Sequence, residues 1–565
     1  MLIFLKQNQI MLHLINKPFQ SVSMKAFKLI FFAILFISVN TFSQTPTDYL
    51  SKEFHKERRE VLRAKMPKNS VTVVFANSIR NRANDVDYVF HQDPNFYYLT
   101  GYREPNAVLV IYADDQTNEA GETFNEVLYV QERNPQAEQW NGKRLGTEGA
   151  KNELGFAQAF NGMDFINSKI DFKQFDKVFI EKFNDDHRNS TRDKAEVFDL
   201  VKSFKLASGY NPSSFLSPTK KYIYNLIKKT PIENRAELSE RIKASMQYYP
   251  ELQEDDFIKN YINAEVALTT KDIEQKVTLG LKSTTNLDVD FLSSNLATMR
   301  ETKSPEEMKL LTKAVRISAI GQIEMMKAMK PHMSETEVQG IHEFVYKKYG
   351  AEYEGYPSIV GAGNNGCILH YIENNKTKVG HELVLMDLGA EYRGYTADVT
   401  RTIPANGKFT KEQKEIYDLV YKAQEAGIAE YVIGGSMRKP NQTAIKIVNE
   451  GLFALGIIKS ADERHNYFPH GTSHHIGLDV HDPGNYGNFE ENMVVTMEPG
   501  IYIPEGSNCD KKWWGIAVRI EDDILVTKNG PVNLSGEAPR KSDEIEKMMA
   551  KKSVLDDFIL PNLDK

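Results

Sequence analysis

Leu383-Val-Leu-Met-Asp387-Leu-Gly-Ala-Glu-Tyr-Arg-Gly-Tyr-Thr-Ala-Asp398-Val-Thr-Arg401 is the stretch from which the rest of the chain is read. The apolar run Leu383 to Met386 predicts a buried strand. Tyr392, Arg393 and Gly394 supply a turn, and Tyr395 to Thr402 predicts the return strand. A turn centred on Tyr392-Arg393 sets Asp387 opposite Asp398. A turn centred on Arg393-Gly394 sets Asp387 opposite Thr400, with Asp398 one diagonal away. Side chains alternate along a strand, so either register puts both carboxylates on one face. Two carboxylates that close repel, and one keeps its proton unless a cation is shared. The plain alternative is that one Asp is a hydrated turn residue.

Composition narrows the field. The 565-residue chain is long enough for two or three domains, and its 41% hydrophobic and 26% charged residues are ordinary for a globular protein. The net charge is -7, and no basic run interleaved with aromatics appears, so nucleic acid is not expected as a partner. Cys367 and Cys509 form no CxxC and suggest neither a disulfide framework nor a zinc-thiolate site. Lys25 and Lys28 followed by Leu29 to Val39 have the anatomy of a signal peptide, with Ser43 last before a cleavage point. Residues 1–23 precede this signal as an extension. The expectation is export, to the periplasm or beyond.

From 48 to 303 the pattern predicts an α/β domain with a helical linker. Lys52 to Met66 is helical, and Val71–Phe75, Ala107–Ile111, Val127–Val130 and Val178–Ile180 are β-branched runs. The charged stretch Lys220 to Arg300 predicts helices with a solvated face. Ser304-Pro-Glu-Glu, Ser334-Glu-Thr-Glu and Thr410-Lys-Glu-Gln each predict a helix start. They open an α+β domain over 304–550, followed by a tail over 551–565. No internal sequence repeat is evident.

Three further segments carry candidate ligands. His470, His474, His475 and His481 fall within twelve residues, where Pro469, Gly471 and Gly477 argue against a helix. Glu498 ends an apolar strand before Pro499-Gly500. Arg519 and Glu521 share one face of another strand, while Asp522 and Asp523 are expected at a hydrated edge. Asp387, Asp398, Glu498 and Glu521 would be very unfavourable together without counterions. Two divalent cations nearly balance them, and oxygen-rich ligation with one imidazole favours Mn²⁺, Co²⁺ or Fe²⁺ over structural zinc.

At these residues the chain resembles the aminopeptidase P (Xaa-Pro aminopeptidase) family of metallopeptidases. The match rests on Ser358 to Tyr371, Met386 to Thr402, His470-Gly-Thr-Ser-His474, Leu478 to Asp482, Glu498-Pro-Gly-Ile-Tyr502 and Arg519-Ile-Glu521. In the first domain it rests on Phe96 to Gly101 and Trp140 to Gly146. The resemblance implies a creatinase-like α/β domain followed by a pita-bread catalytic domain. It implies that Asp387, Asp398, His474, Glu498 and Glu521 bind two metal ions, with Mn²⁺ first and Co²⁺, Fe²⁺ or Zn²⁺ as substitutes. A hydroxide bridging the metals would attack the bond before proline in peptides that begin Xaa-Pro. Glu498, His370 and His481 would be catalytic, and His470, Tyr502, Arg519 and Trp140 would contact substrate, Trp140 from a neighbouring subunit of a homo-oligomer. Thr472 and His475 depart from the apolar or aromatic residues expected there. The alternatives are a prolidase restricted to Xaa-Pro dipeptides and a non-catalytic peptide-binding module.

Overall fold

Strands appear where the β-branched runs predict them. The computed structural model describes residues 46–558 and 560, apart from 169, 185, 190–192 and 282–283. The predicted signal peptide and the extension before it lie outside the described residues, as do 559 and 561–565 of the tail. Among the described residues no helix is long and apolar enough to cross a membrane.

Helix α1 (Lys52–Lys65) is followed by β1 (Ser70–Phe75), α2 (Pro94–Thr100), β2 (Val108–Thr117), β3 (Thr123–Val130), β4 (Ala159–Asn161) and β5 (Lys177–Phe179). Asp93 caps α2 by accepting from Phe96 N at 2.8 Å, with Pro94 at its first position. Past a helix over Val197–Ser208, four helices group together: α3 (Pro218–Lys229), α4 (Arg235–Met246), α5 (Asp256–Ile262) and α6 (Thr270–Leu281). They bury Ile223, Ile227, Leu238, Ile242, Ile258 and Val277 in a core of their own. The chain then returns to the sheet as β6 (Leu287–Asp288), giving the order β4-β3-β2-β1-β5-β6. The sheet is mixed: β1 runs antiparallel to β2 and parallel to β5. Helix α7 (Phe291–Arg300) leads out of this layer.

Helix α8 (Pro305–Ala328) starts where the sequence signal puts it. Ser304 and Glu307 form a reciprocal capping box, with contacts of 2.8 and 3.3 Å. Ser334 caps α9 (Glu335–Lys348), and Thr410 caps α10 (Lys411–Ile428), which packs with α11 (Lys439–Ala454). Between and after these helix pairs lie the strands β7 (Tyr353–Glu354), β8 (Ile359–Ala362), β9 (Leu383–Asp387), β10 (Ala390–Tyr392), β11 (Tyr395–Thr396), β12 (Thr400–Pro404), β13 (Val494–Met497), β14 (Gly500–Ile503), β15 (Ile516–Arg519), β16 (Asp522–Thr527) and β17 (Gly530–Asn533).

The decisive hairpin adopts the second of its two registers. Asp387 pairs with Thr400 and Tyr392 with Tyr395, so Arg393 and Gly394 are the turn. Their φ values of 53° and 86° are both positive, as a type I′ turn requires. The ladder is interrupted, however. β9 and β12 belong to one sheet and β10 and β11 to another, and the chain crosses between them at Leu388–Gly389 and Ala397–Val399. A second long hairpin repeats the device. β13 pairs β16 and β14 pairs β15 in one continuous register, interrupted at Glu498–Pro499 and Ile520–Glu521. Both interruptions carry candidate ligands.

The crossing leaves no room for a side chain at Gly389. A Cβ there would lie 1.8 Å from Ala397 O and 2.8 Å from a ring carbon of Tyr356. Gly340, on α9, faces open space. Gly389→Ala is expected to destabilise the fold by about 1–3 kcal/mol or more through overpacking. Gly340→Ala is expected to stabilise it by about 0.5–1 kcal/mol. Urea midpoints of the two variants check this, and the opposite order would contradict the crossing geometry.

Candidate active site

The strand interruptions empty into one cavity of about 510 Å³. Asp387, Asp398, Glu498, Glu521, His474, His370, His470, His481 and Arg519 all line it. Asp398, His474 and Glu521 each offer a ligand atom within 4.8 Å of the others. His474 Nε2 lies 3.5 Å from Asp398 Oδ2 and 3.6 Å from Glu498 Oε1. Asp387 and Glu498 hold equivalent places in the two hairpins, each following a methionine whose carbonyl is tied to a buried glutamine.

Those ties are a pair. Where the ladder breaks, strand carbonyls lack N–H partners. Gln322 of α8 spans the first gap, donating from Nε2 to Met386 O at 3.0 Å and Val399 O at 2.9 Å. Gln424 of α10 spans the second, reaching Met497 O and Ile520 O at 3.1 Å each. One side-chain amide has two donors, enough to hold both strands of a hairpin at the residues beside the carboxylates. Both glutamines are fully buried.

Two residues that the sequence reading left out complete the carboxylate cluster. Tyr356 Oη sits 2.6 Å from Asp387 Oδ1 and 2.6 Å from Asp398 Oδ1. A phenol has one proton to donate, so the second short contact needs a proton from the carboxyl or a cation nearby. Tyr356 precedes the quoted Ser358 motif in the chain, and no spacing rule points to it. Thr400 Oγ1 donates to Glu521 Oε2 at 2.6 Å. The Asp opposite in the hairpin register, Asp387, takes Arg519 Nη2 at 2.5 Å. Arg519 Nη1 donates to Tyr502 Oη at 2.9 Å, and Tyr502 meets His470 Nε2 at 2.8 Å.

The electrostatics follow from this packing. Burial, then the charges of Asp387 and Asp523, push Asp398 well above the usual carboxylate range. Burial, then Asp398 and Glu498, do the same to Glu521. Burial also raises Glu498, against the pull of His474 and Arg519. Asp387 moves the other way: burial opposes its ionisation, but the Arg519 charge together with the hydrogen bonds from Tyr356 and Arg519 lowers its pKa. Burial lowers His470 to about 4, and burial with the neighbouring His474 lowers His481. The rings of His474 and His481 meet edge-on, with centroids 4.4 Å apart. A cluster of oxygens that resists ionising side by side fits divalent cations, which favour the charged carboxylates and neutral imidazole.

Trp140, expected to act from a neighbouring subunit, is on a short helix of the first domain and 86% exposed. Two other expectations need correction. Tyr502 is buried behind the wall, braced by His470 and Arg519, and is not a lining residue. Asp522 and Asp523 are fully buried, not at a hydrated edge. Asp522 pairs with Arg401 at 2.7 Å, and Asp523 Oδ2 accepts from Asp398 N at 3.1 Å. A charged run after Glu521 turns inward because Arg401 and the Asp398 backbone provide partners that the sequence order does not reveal.

Residues 55–172 match the profile of the aminopeptidase P N-terminal domain, and residues 309–528 match metallopeptidase family M24. A Xaa-Pro aminopeptidase of Haemophilus influenzae is 32% identical over 515 residues, covering 88% of this chain and 98% of the relative. The chain belongs to the aminopeptidase P family of M24 metallopeptidases. An Escherichia coli Xaa-Pro aminopeptidase is also 32% identical, over 512 residues, 88% of this chain and 98% of its own. The solved structure of E. coli aminopeptidase P with the inhibitor Pro-Leu superposes with a TM-score of 0.68 at 30% identity, covering 89% of this chain and 98% of that one. The family's architecture, an α/β N-terminal domain and a pita-bread M24 domain, is the one described above.

Tyr356 supplies the sharpest test of the cluster. Tyr356→Phe removes a hydroxyl shared by two carboxylates and leaves the ring. It is expected to lower divalent-metal affinity or activity about 10–100-fold while the fold is retained. Calorimetric titration with Mn²⁺ beside a thermal melt checks this. Unchanged affinity and activity would mean that the hydroxyl plays no part in ordering the pair.

Proposed function

We propose that this protein is a metal-dependent aminopeptidase that releases the N-terminal residue from peptides with proline in second place. The observation that carries the reading is the convergence of three buried carboxylates, the partly buried Glu498 and His474 on one cavity. The family membership supports it across both domains. Asp387, Asp398, His474, Glu498 and Glu521 would hold two divalent ions, and we favour Mn²⁺ from the oxygen-rich donor set. Bound there, the ions supply charge balance and an acidified water as nucleophile.

The chain's own residues do the rest. Glu498 faces the imidazoles of His474 and His470 at 3.6 and 3.8 Å and, among the described residues, takes no guanidinium as Asp387 does and no hydroxyl as Asp398 and Glu521 do, so it is the carboxylate best free to accept and return a proton. His370 and His481 line the same cavity and present N–H donors for the scissile carbonyl oxygen. His470, Tyr502 and Arg519 form one hydrogen-bonded chain that stiffens the wall on the Asp387 side. Pro357, Ile359, Leu369, Ile372 and Val480 give the cavity an apolar lining suited to a pyrrolidine ring. The bond before proline is a tertiary amide without an N–H, so recognition must come from ring shape and the carbonyl.

Two extensions rest on narrower grounds. The Lys25–Val39 pattern supports export to the periplasm or beyond. The family resemblance at Trp140 to Gly146, with Trp140 exposed, supports a homo-oligomer in which this side chain meets a neighbouring subunit.

The test is hydrolysis of an Xaa-Pro-Xaa tripeptide and an Xaa-Pro dipeptide, with Mn²⁺ and with chelator. Tripeptide cleavage that chelator abolishes is expected, as is its loss in Asp398→Ala and His474→Ala. Cleavage of the dipeptide alone would make the protein a prolidase. No cleavage of either by folded, metal-loaded protein would overturn the enzyme reading.

A further inference from the structure

The segment Arg300–Lys303, between α7 and α8, holds the loop that carries His481. Arg300, Glu301 and Lys303 bond to residues 482–485 of that loop. Arg300 Nη2 donates to Asp482 Oδ1, and Lys303 Nζ donates to Asp482 Oδ2 at 2.9 Å. Glu301 accepts from Asn485 N and Nδ2 at 2.8 and 2.9 Å. Thr302 bridges to Met493 where the chain enters β13, and Lys303 N donates to Asn492 O at 2.9 Å. Asp482 is the residue after His481, and its side chain, like those of Arg300 and Lys303, is at most 3% exposed.

A buried ion pair of this kind costs solvation and is weak evidence for stability, but it fixes geometry, because leaving either partner alone is strongly unfavourable. His474 is held separately, by two bonds with Thr496 of β13 at 3.0 and 3.1 Å. His481 has no such strand partner: its N donates to Asp479 Oδ1 at 2.9 Å within its own turn, and Asp482 is the anchor beside it. The other side of Arg300 faces the first domain. Its Nη1 donates to Asn95 Oδ1 of α2 at 2.6 Å, and Asn95 Nδ2 donates to Glu181 Oε1 at 2.6 Å, just past β5.

We propose that Arg300 is a positioning residue: through Asp482 it sets His481 at the cavity wall, and through Asn95 it ties that setting to the first domain. Arg300 does not line the cavity and touches no reacting group. The proposal rests on the role given to His481 above.

The test uses full-length, Mn²⁺-loaded wild type, Arg300→Met, Arg300→Lys and Asn95→Ala. It reads kcat and KM on an Xaa-Pro-Xaa tripeptide, Mn²⁺ affinity, and deuterium uptake across the chain. Arg300→Met is expected to lower kcat about 10-fold or more while Mn²⁺ affinity stays within about 2-fold, since the metal-side residues are anchored elsewhere. Uptake should rise over residues 477–485, and Arg300→Lys should recover part of both effects. Asn95→Ala, a milder change, should raise uptake over the same residues although it sits in the other domain. Wild-type kcat with unchanged uptake at 477–485 in Arg300→Met and Asn95→Ala would overturn the proposal. So would a chain-wide rise in uptake with kcat falling only as Mn²⁺ affinity falls, which is what general destabilisation gives. Should wild type cleave nothing, the enzyme reading fails, and uptake at 477–485 still decides whether Arg300 and Asn95 hold the loop.

Discussion

Four carboxylates crowded around one cavity, three of them buried, constrain everything near them. Each gains from solvation and loses from its neighbours' charge, so left free the chain would turn them outward. Arg519 relieves Asp387, and the Tyr356 hydroxyl stands between Asp387 and Asp398. Asp398 and Glu521 are left pushed above their ordinary range. That residue of repulsion is what a cation would remove, and it makes the protein's affinity for metal a consequence of how the carboxylates are confined.

Confinement comes from the backbone. Each pair of ligands sits where a long hairpin breaks its ladder and passes from one sheet to another. A broken ladder is soft, and Gln322 and Gln424 restore the missing bonds from the helices α8 and α10. Behind the second break, Arg401 reaches across to Asp522 and to Glu521 O at 2.7 Å each, locking one hairpin against the other. The two halves use the same device with different residues. Asp387 and Glu498 are equivalent, whereas Asp398 and Glu521 are not. This explains why a structural repeat is plain in the fold and absent from the sequence.

Much of this was legible in the chain. The three capping signals start helices where they stand, and the β-branched runs are strands of the first sheet. Asp387 and Asp398 could be placed on one face because strand alternation is local, and the register was narrowed to two because a turn has few centres. Choosing between them needed the φ values of Arg393 and Gly394. Four of the five candidate ligands could be proposed because carboxylates at the ends of apolar strands are costly unless they are used, whereas His474 was singled out from four histidines only by the family resemblance. Tyr356, Gln322, Gln424 and Arg300 could not, since a tyrosine, a helical glutamine or an arginine is commonplace until its partner is known, and their partners lie far along the chain. The inward turn of Asp522 and Asp523 was missed for the same reason: Arg401, Gln424 and Ser535 satisfy Asp522 and the Asp398 backbone satisfies Asp523, and none of these partners is near in sequence.

The stoichiometry of Mn²⁺ binding to metal-stripped protein, measured by calorimetry at neutral pH, tests the central claim most directly. Confinement of the carboxylates predicts two ions per chain, and fewer than two when Asp398 is replaced by Ala. Binding of no ion by the folded wild type, or two ions bound as tightly by Asp398→Ala, would contradict it.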